Sequence, residues 1–385
     1  MSTLKVPITT ITEMKLHPGA DRLSIAKVFD YEVIVPRDLF KVGMPVIYVP
    51  VGAILSDWLE TLIFGEDSKI HRSDNRIKAI KIRGIVSQGM LLDPMQWEIC
   101  YKLKDNNIYA GNPNRLYDDV SGPLGITKWN PPEKSLPGIM KVPANLNPYK
   151  VREFREYTDV EHGKYYDRVL QDGEPVVITQ KLHGTSARYG WFKRDPISWL
   201  DKALNFLGLL PGWQFCWGSR RCQIQSKPGK THGGFKDEKQ GVDFGDVYTK
   251  IAKQEGIREK IPKGYAVYGE IIGWGIQKGY LYNCGLNQHK FYVYDVMHNG
   301  KWLNHAEMMA FCEMTGLETV PVLYQGPYHK DRIDEFITVN KISKEPNEGI
   351  VIGPAIDRTS PTCGRIKLKY INPEYLMLKD MSEFQ

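Results

Sequence analysis

What the 385-residue chain lacks already narrows its class. Its six cysteines (Cys100, Cys216, Cys222, Cys284, Cys312 and Cys363) are scattered, with no C-x-x-C pair. That spacing argues against a zinc site or a disulfide framework and suits a reducing compartment, so a cytoplasmic location is expected. No apolar run approaches the roughly 20 residues that cross a bilayer, and the N-terminus carries no apolar leader segment. A membrane is therefore not expected as a partner. An excess of charge of one sign is small as well. The net value of +6 permits nucleic-acid binding without requiring it. The 42% of apolar residues can fill two ordinary cores, and the length allows two domains.

Residues 1–125 read as a small β domain. Strands are predicted at 24–29, 31–36, 45–50, 76–82 and 88–92, punctuated by Pro18-Gly19, Lys41-Val42-Gly43 and Arg83-Gly84. Five short strands at this spacing match the strand count of an OB-fold barrel. Lys69, Arg72, Arg76, Lys78, Lys81 and Arg83 form a basic stretch able to follow a phosphate backbone. A solvated edge strand guarded by charges has the same appearance. Residues 126–150 hold Pro131, Pro132, Pro137, Pro143 and Pro148, a composition that resists helix and central strand, and they are read as a linker. The second domain is then 151–385.

In that domain the β-branched run 175–179 predicts a buried strand leading to Lys181, with Gly184 supplying a turn where backbone can approach a ligand. A lysine between a strand end and a glycine is placed to meet a phosphate. A strand at 264–272 carries Glu270, a carboxylate costly to bury without a partner unless the strand lies at an edge. Residues 290–296 form an aromatic strand, 303–315 a helix with Met308, Met309, Phe311 and Cys312 as core, and Glu348 heads a strand at 348–352. Alternation in 365–370 puts Lys367 and Lys369 on one face, where they repel unless an anion lies between them. Residues 196–210 have helical spacing. Gly229-Lys230-Thr231 imitates the tail of a P-loop, but Ile224 stands where such a loop needs its first glycine.

Taken in order, K-x-H-G-T at 181–185, S-R at 219–220, G-E at 269–270, Y-V-Y-D at 292–295, E-G at 348–349 and K-x-K at 367–369 resemble motifs I, Ia, III, IIIa, IV and V of the covalent nucleotidyltransferases, the polynucleotide ligases and mRNA capping enzymes. The histidine of motif I, where DNA ligases and capping enzymes usually carry aspartate, resembles the RNA ligases. So does the order of an OB-like domain before the catalytic one. Only residues 370–385 follow motif V, too few for the C-terminal OB domain of the other two groups.

The resemblance implies an α+β protein: an N-terminal OB-like β-barrel, then a ligase domain of antiparallel sheets with flanking helices, ATP-grasp-like in character. It implies an RNA-repair enzyme that uses ATP and Mg2+ (or Mn2+) to join 5′-phosphate and 3′-hydroxyl ends of RNA or of an RNA-containing nicked duplex. No obligate protein partner is evident. In this reading Lys181 takes AMP covalently, which needs its neutral amine, and Lys367 and Lys369 hold the α-phosphate. The resemblance further implies Glu270 and Arg220 on the ribose, Glu348 on the metal, Tyr294 with Phe291 in reserve on adenine, and Gly184 and His183 near the phosphates. A DNA ligase, a capping guanylyltransferase and a non-catalytic RNA-binding protein are the alternatives.

Overall fold

The computed structural model describes residues 4–65, 75–108, 118–129, 153–166, 168–193, 213–220, 223–224, 247–277 and 280–378. Lys69 and Arg72, nearly all of the predicted linker, the 196–210 helix and the Gly229-Lys230-Thr231 loop lie outside those residues. The chain divides into two compact units, one made of 1–132, 159–167 and 370–385, the other of 133–158 and 168–369.

In the first unit, β1 (Ile8–Thr10), β2 (Glu13–Leu16), β3 (Leu23–Val28), β4 (Tyr31–Pro36), β5 (Pro45–Val49), β6 (Ala53–Ile54), β7 (Ile80–Ile82), β8 (Ile85–Ser87), β9 (Met90–Leu92), β10 (Thr127–Lys128) and β11 (Glu161–His162) follow one another. Two three-stranded antiparallel sheets result, β1-β5-β9 and β2-β3-β4. The period of two in β4 turns Tyr31, Val33 and Val35 inward, and the Tyr31 ring stacks on Tyr48 at 4.9 Å between centroids. Bonds from Thr12 N–H to Lys27 O (2.9 Å) and from Gln88 N–H to Glu32 O (2.8 Å) tie the sheets together. Among the described residues the expected barrel is thus a pair of linked sheets, with no single closed ladder.

The basic stretch divides on inspection. Lys78, Lys81 and Arg83 are exposed, but Arg76 is only 3% exposed, its guanidinium 3.5 Å from the centre of the Trp129 ring. A buried, stacked arginine cannot follow a phosphate backbone. His17, also buried, accepts from Gly19 N–H through Nδ1 (3.0 Å). Its other nitrogen, 3.1 Å from Ile82 O, therefore donates and pins the β7-β8 hairpin.

The second unit holds β12 (Pro175–Lys181), β13 (Thr185–Lys193), β14 (Trp213–Ser219), β15 (Gln223–Ile224), β16 (Tyr265–Gly273), β17 (His289–His298), β18 (Lys301–Trp302), β19 (Val322–Pro327), β20 (Gly349–Pro354), β21 (Thr359–Ser360), β22 (Gly364–Arg365) and the start of β23 (Leu368–Ile371). The larger sheet runs β15-β14-β13-β16-β17-β18, and a second runs β19-β12-β20-β23. Glu270 therefore stands on a central strand, not on an edge. Tyr189, Val267, Ile271, Phe291 and Val293 cover one face of the larger sheet, joined in one core by residues of helices Val247–Gln254 and His305–Thr315. The second helix begins at a capping box, in which Asn304 N–H donates to Glu307 at 2.8 Å, and ends at Gly316 with φ 63°. Met308, Phe311 and Cys312 are buried as expected, whereas Met309 faces solvent. No described helix is long and apolar enough to cross a membrane.

Candidate active site

Lys181 is the last residue of β12, and within three residues the chain has crossed into β13 of the other sheet. The lysine thus stands at the joint between the sheets. The register pairs Lys181 with Gly349 on β20, which brings the preceding residue, Glu348, beside it. Lys181 Nζ lies 2.5 Å from Glu348 Oε1, with the two side chains 16% and 1% exposed. The second carboxylate oxygen, Oε2, is buried and has no hydrogen-bond partner among the described residues. A buried charged oxygen without a donor is costly.

The turn after Lys181 is closed by side chains. Gly184 N–H donates to Glu270 Oε1 at 3.1 Å, and His183 N–H donates to the Tyr282 hydroxyl at 2.7 Å. A Cβ on Gly184 would fall 2.3 Å from Ile271 O, so the glycine is required by the close passage of β16, and its amide is already engaged. The His183 ring is buried and meets the Tyr280 ring edge-on at 4.9 Å.

Glu270 sits opposite Ser186 of β13. Its neighbour Gly269 leaves room for the Phe291 ring, which a Cβ would meet at 2.4 Å. Glu270 keeps some contact with solvent, yet loss of hydration is the largest influence on it. Lys181 opposes that influence and Glu348 reinforces it, and the carboxyl is pushed up to about 8. Arg220, just past β14, acts on both Glu270 and Tyr294. Tyr294 shares a 2.7 Å hydroxyl contact with Ser186, and its ring lies 4.8 Å from that of Tyr157. Lys181, Gly184, Arg220, Glu270, Tyr294 and Glu348 are thereby gathered. Phe291 is not: 4% exposed, it packs edge-on against Tyr189 at 5.2 Å in the core, with no open face for a base.

The motif V lysines occupy different settings. Lys367 precedes β23, and its stem passes Gly353, where a Cβ would lie 3.1 Å from Cδ. Its amine lies 3.6 Å from Asp295 Oδ2, so a protein carboxylate is the anion that accompanies it. Lys369, on β23, is 1% exposed.

Asp295 was not among the expected site residues. It is 1% exposed, and its Oδ2 also takes Arg365 Nη1 at 2.6 Å and the Tyr157 hydroxyl at 2.8 Å. Burial pushes its pKa up, but Lys367, Arg365 and the hydrogen bonds outweigh that and hold it below the usual range. Arg365 Nε in turn holds Asp357 at 2.6 Å, and its guanidinium lies 4.0 Å from the Trp302 ring centre. An acid inside an apolar strand, with cations two strands later, was the available signal. Arg188 is structural: its Nε donates to Ser219 O and its Nη1 to Phe154 O, at 2.9 and 2.8 Å.

A divalent ion would find two carboxylates here, Glu348 and Glu270, and Glu270 already accepts from Gly184 N–H. No three His, Cys, Asp or Glu side chains converge among the described residues. The unpartnered Glu348 oxygen suits an ion such as magnesium, which keeps several waters and takes other ligands from substrate phosphates.

The model of a family described as RNA ligase matches residues 174–371, just over half of the chain, and that of an OB-fold domain matches residues 5–95. No curated protein matches the chain. Solved structures of an RNA ligase from Naegleria gruberi are similar throughout. One, of a lysine-to-methionine mutant with AMP and Mn, is 19% identical with a TM-score of 0.68, covering 96% of this chain and 97% of that one. Another, with PPi, is 20% identical with a TM-score of 0.69, covering 97% and 98%. A third, of a lysine-to-alanine mutant with ATP and Mn, is 19% identical with a TM-score of 0.68, covering 97% and 98%. At such identities the likeness is one of fold. The family match, by contrast, starts one residue before β12 and ends with β23, enclosing every motif residue gathered above, and on that footing the chain belongs to the RNA ligase family.

Proposed function

We propose that the chain is an ATP-dependent RNA ligase that seals 5′-phosphate to 3′-hydroxyl ends through AMP carried on Lys181. The observation that carries this reading is the Lys181–Glu348 pair at the joint of the sheets, one carboxylate oxygen left without a partner among the described residues. In the first step the neutral Lys181 amine attacks the α-phosphorus of ATP, a P–N bond forms and pyrophosphate leaves. AMP then passes to the 5′-phosphate of the RNA, freeing the lysine. The 3′-hydroxyl attacks that activated phosphate, and AMP departs as the phosphodiester forms.

This chain's own groups have separate tasks. Glu348 accepts a hydrogen bond from the Lys181 amine and orients it. It would also hold a divalent cation, which when bound supplies charge neutralisation to the phosphates. Lys367 and Lys369 offset negative charge developing at the α-phosphorus, and Asp295 keeps Lys367 in place. Glu270 and Arg220 take the ribose hydroxyls and Tyr294 takes adenine. The ATP, AMP and Mn of the Naegleria ligase structures and the PPi of another agree with this chemistry. The first unit grips RNA through exposed residues such as Lys78, Lys81 and Arg83, and the free thiols of the described cysteines suit a cytoplasmic protein.

Nicked duplexes with RNA or DNA on either side of the break test the assignment. Magnesium- and ATP-dependent joining of an RNA-containing nick is the expected result. Joining with GTP alone, or of all-DNA nicks only, would contradict it.

A further inference from the structure

Between β16 and β17 lie residues 274–277 and 280–288, which hold none of the roles assigned above. They nevertheless reach both segments that supply the ion pair. The Tyr282 hydroxyl accepts from His183 N–H at 2.7 Å, two residues beyond Lys181. The Tyr280 hydroxyl donates to Pro346 O at 2.9 Å, two residues before Glu348. Gln277 Nε2 donates to Gly184 O at 2.8 Å, and Asn283 Nδ2 to Ile342 O at 2.7 Å. Four side chains of one connection therefore hold the lysine's segment on one side and the glutamate's on the other.

Two further features are out of keeping with a passive loop. Tyr280 and Tyr282 are 3% and 2% exposed, so their hydroxyls are delivered from buried rings to backbone groups, His183 N–H buried and Pro346 O half-buried. Tyr282 and Asn283 have φ of 49° and 59°. The left-handed region is unfavourable for a bulky residue such as tyrosine, and such conformations persist where the surroundings enforce them.

We propose that Tyr282 and Tyr280 are positioning residues for lysine adenylylation, fixing Lys181 against Glu348 through the backbone at His183 and Pro346. The inference rests on the adenylylation reading given above. Neither tyrosine touches the reacting atoms. Their hydroxyls set the distance and direction of the nucleophile, and small misplacements of a nucleophile cost large factors in rate.

Tyr282→Phe keeps the ring and removes the link, and Tyr280→Phe does the same on the glutamate's side, so either tests the idea should the other fold poorly. The measurement is single-turnover labelling of the full chain by ATP carrying the label on its α-phosphate, over a range of ATP concentrations, together with Tm. At saturating ATP each variant is expected to label roughly ten- to a hundredfold more slowly, with half-saturating ATP within about twofold of wild type and Tm close to it. A wild-type rate in both variants would overturn the inference. So would a fall in rate accompanied by matching changes in half-saturation and Tm, the result of a packing role alone. Absence of label on the wild-type chain would instead remove the adenylylation reading itself.

Discussion

Two buried carboxylates of the second unit, each facing cations, differ in how completely they are used. Glu348 gives one oxygen to Lys181 and leaves the other without a partner among the described residues. Asp295 has both oxygens engaged: Oδ2 by Arg365, Tyr157 and Lys367, and Oδ1 by Val296 N–H at 3.1 Å. The closed arrangement is a strut that holds the motif V lysine. The open one keeps an oxygen available to a ligand. Under the proposed function the difference separates a site for chemistry from a site for support, although the residue types are nearly the same.

The largest effect should come from breaking the strut. Asp295→Asn strands Arg365 and Lys367 without their shared anion and should lower stability by about 3–5 kcal/mol, measured by denaturant unfolding. Because Asp295 is held below its ordinary value of 3.8, its contribution is present above that pH and lost as pH falls through the lower folded-state value. Acid unfolding of the variant below about pH 4 should therefore be flatter than that of wild type. An asparagine variant as stable as wild type would erase the distinction.

Glu348→Gln is the converse test. Adenylylation should slow roughly 100-fold, about 2.7 kcal/mol in barrier height, while stability falls by less than in the Asp295 variant. Equal losses of stability in the two would make Glu348 another strut.

The smallest effect concerns Glu270, a carboxyl of a third kind. Pushed up to about 8, it binds a proton more tightly in the folded state than in the unfolded chain. Its contribution is therefore full below the unfolded value near 4.5 and lost as pH rises through about 8. The Tm of the nucleotide-free protein should fall between pH 6 and 9, and Glu270→Gln should reduce that fall. An unchanged profile would show that burial does not govern this carboxyl.

Much of this was legible in the sequence because short apolar runs rich in β-branched and aromatic residues specify strands. The predicted 175–179, 264–272, 290–296 and 348–352 became Pro175–Lys181, Tyr265–Gly273, His289–His298 and Gly349–Pro354. The run at 365–370 was less regular. It breaks at Ile366 and Lys367 between β22 and β23, since Lys367 reaches Asp295 rather than continuing a ladder. Partnership was the illegible part. Asp295 and Glu270 each stand in an apolar strand, and only the fold shows that one meets Arg365, Tyr157 and Lys367 while loss of hydration raises the pKa of the other. Arg76 looked like its exposed neighbours because stacking on Trp129, more than 50 positions away, leaves no local pattern. Phe291 and Tyr294 are three residues apart on one strand, and only the sheet's core decided which ring was covered.

The most direct test of the central claim is labelling with ATP bearing the label on its α-phosphate, in the presence of magnesium, followed by denaturing electrophoresis of wild type and Lys181→Ala. The account predicts an acid-labile label on the wild-type chain and none on the variant, with the variant folded as judged by its Tm. Label retained by Lys181→Ala, or absent from both chains, would contradict it.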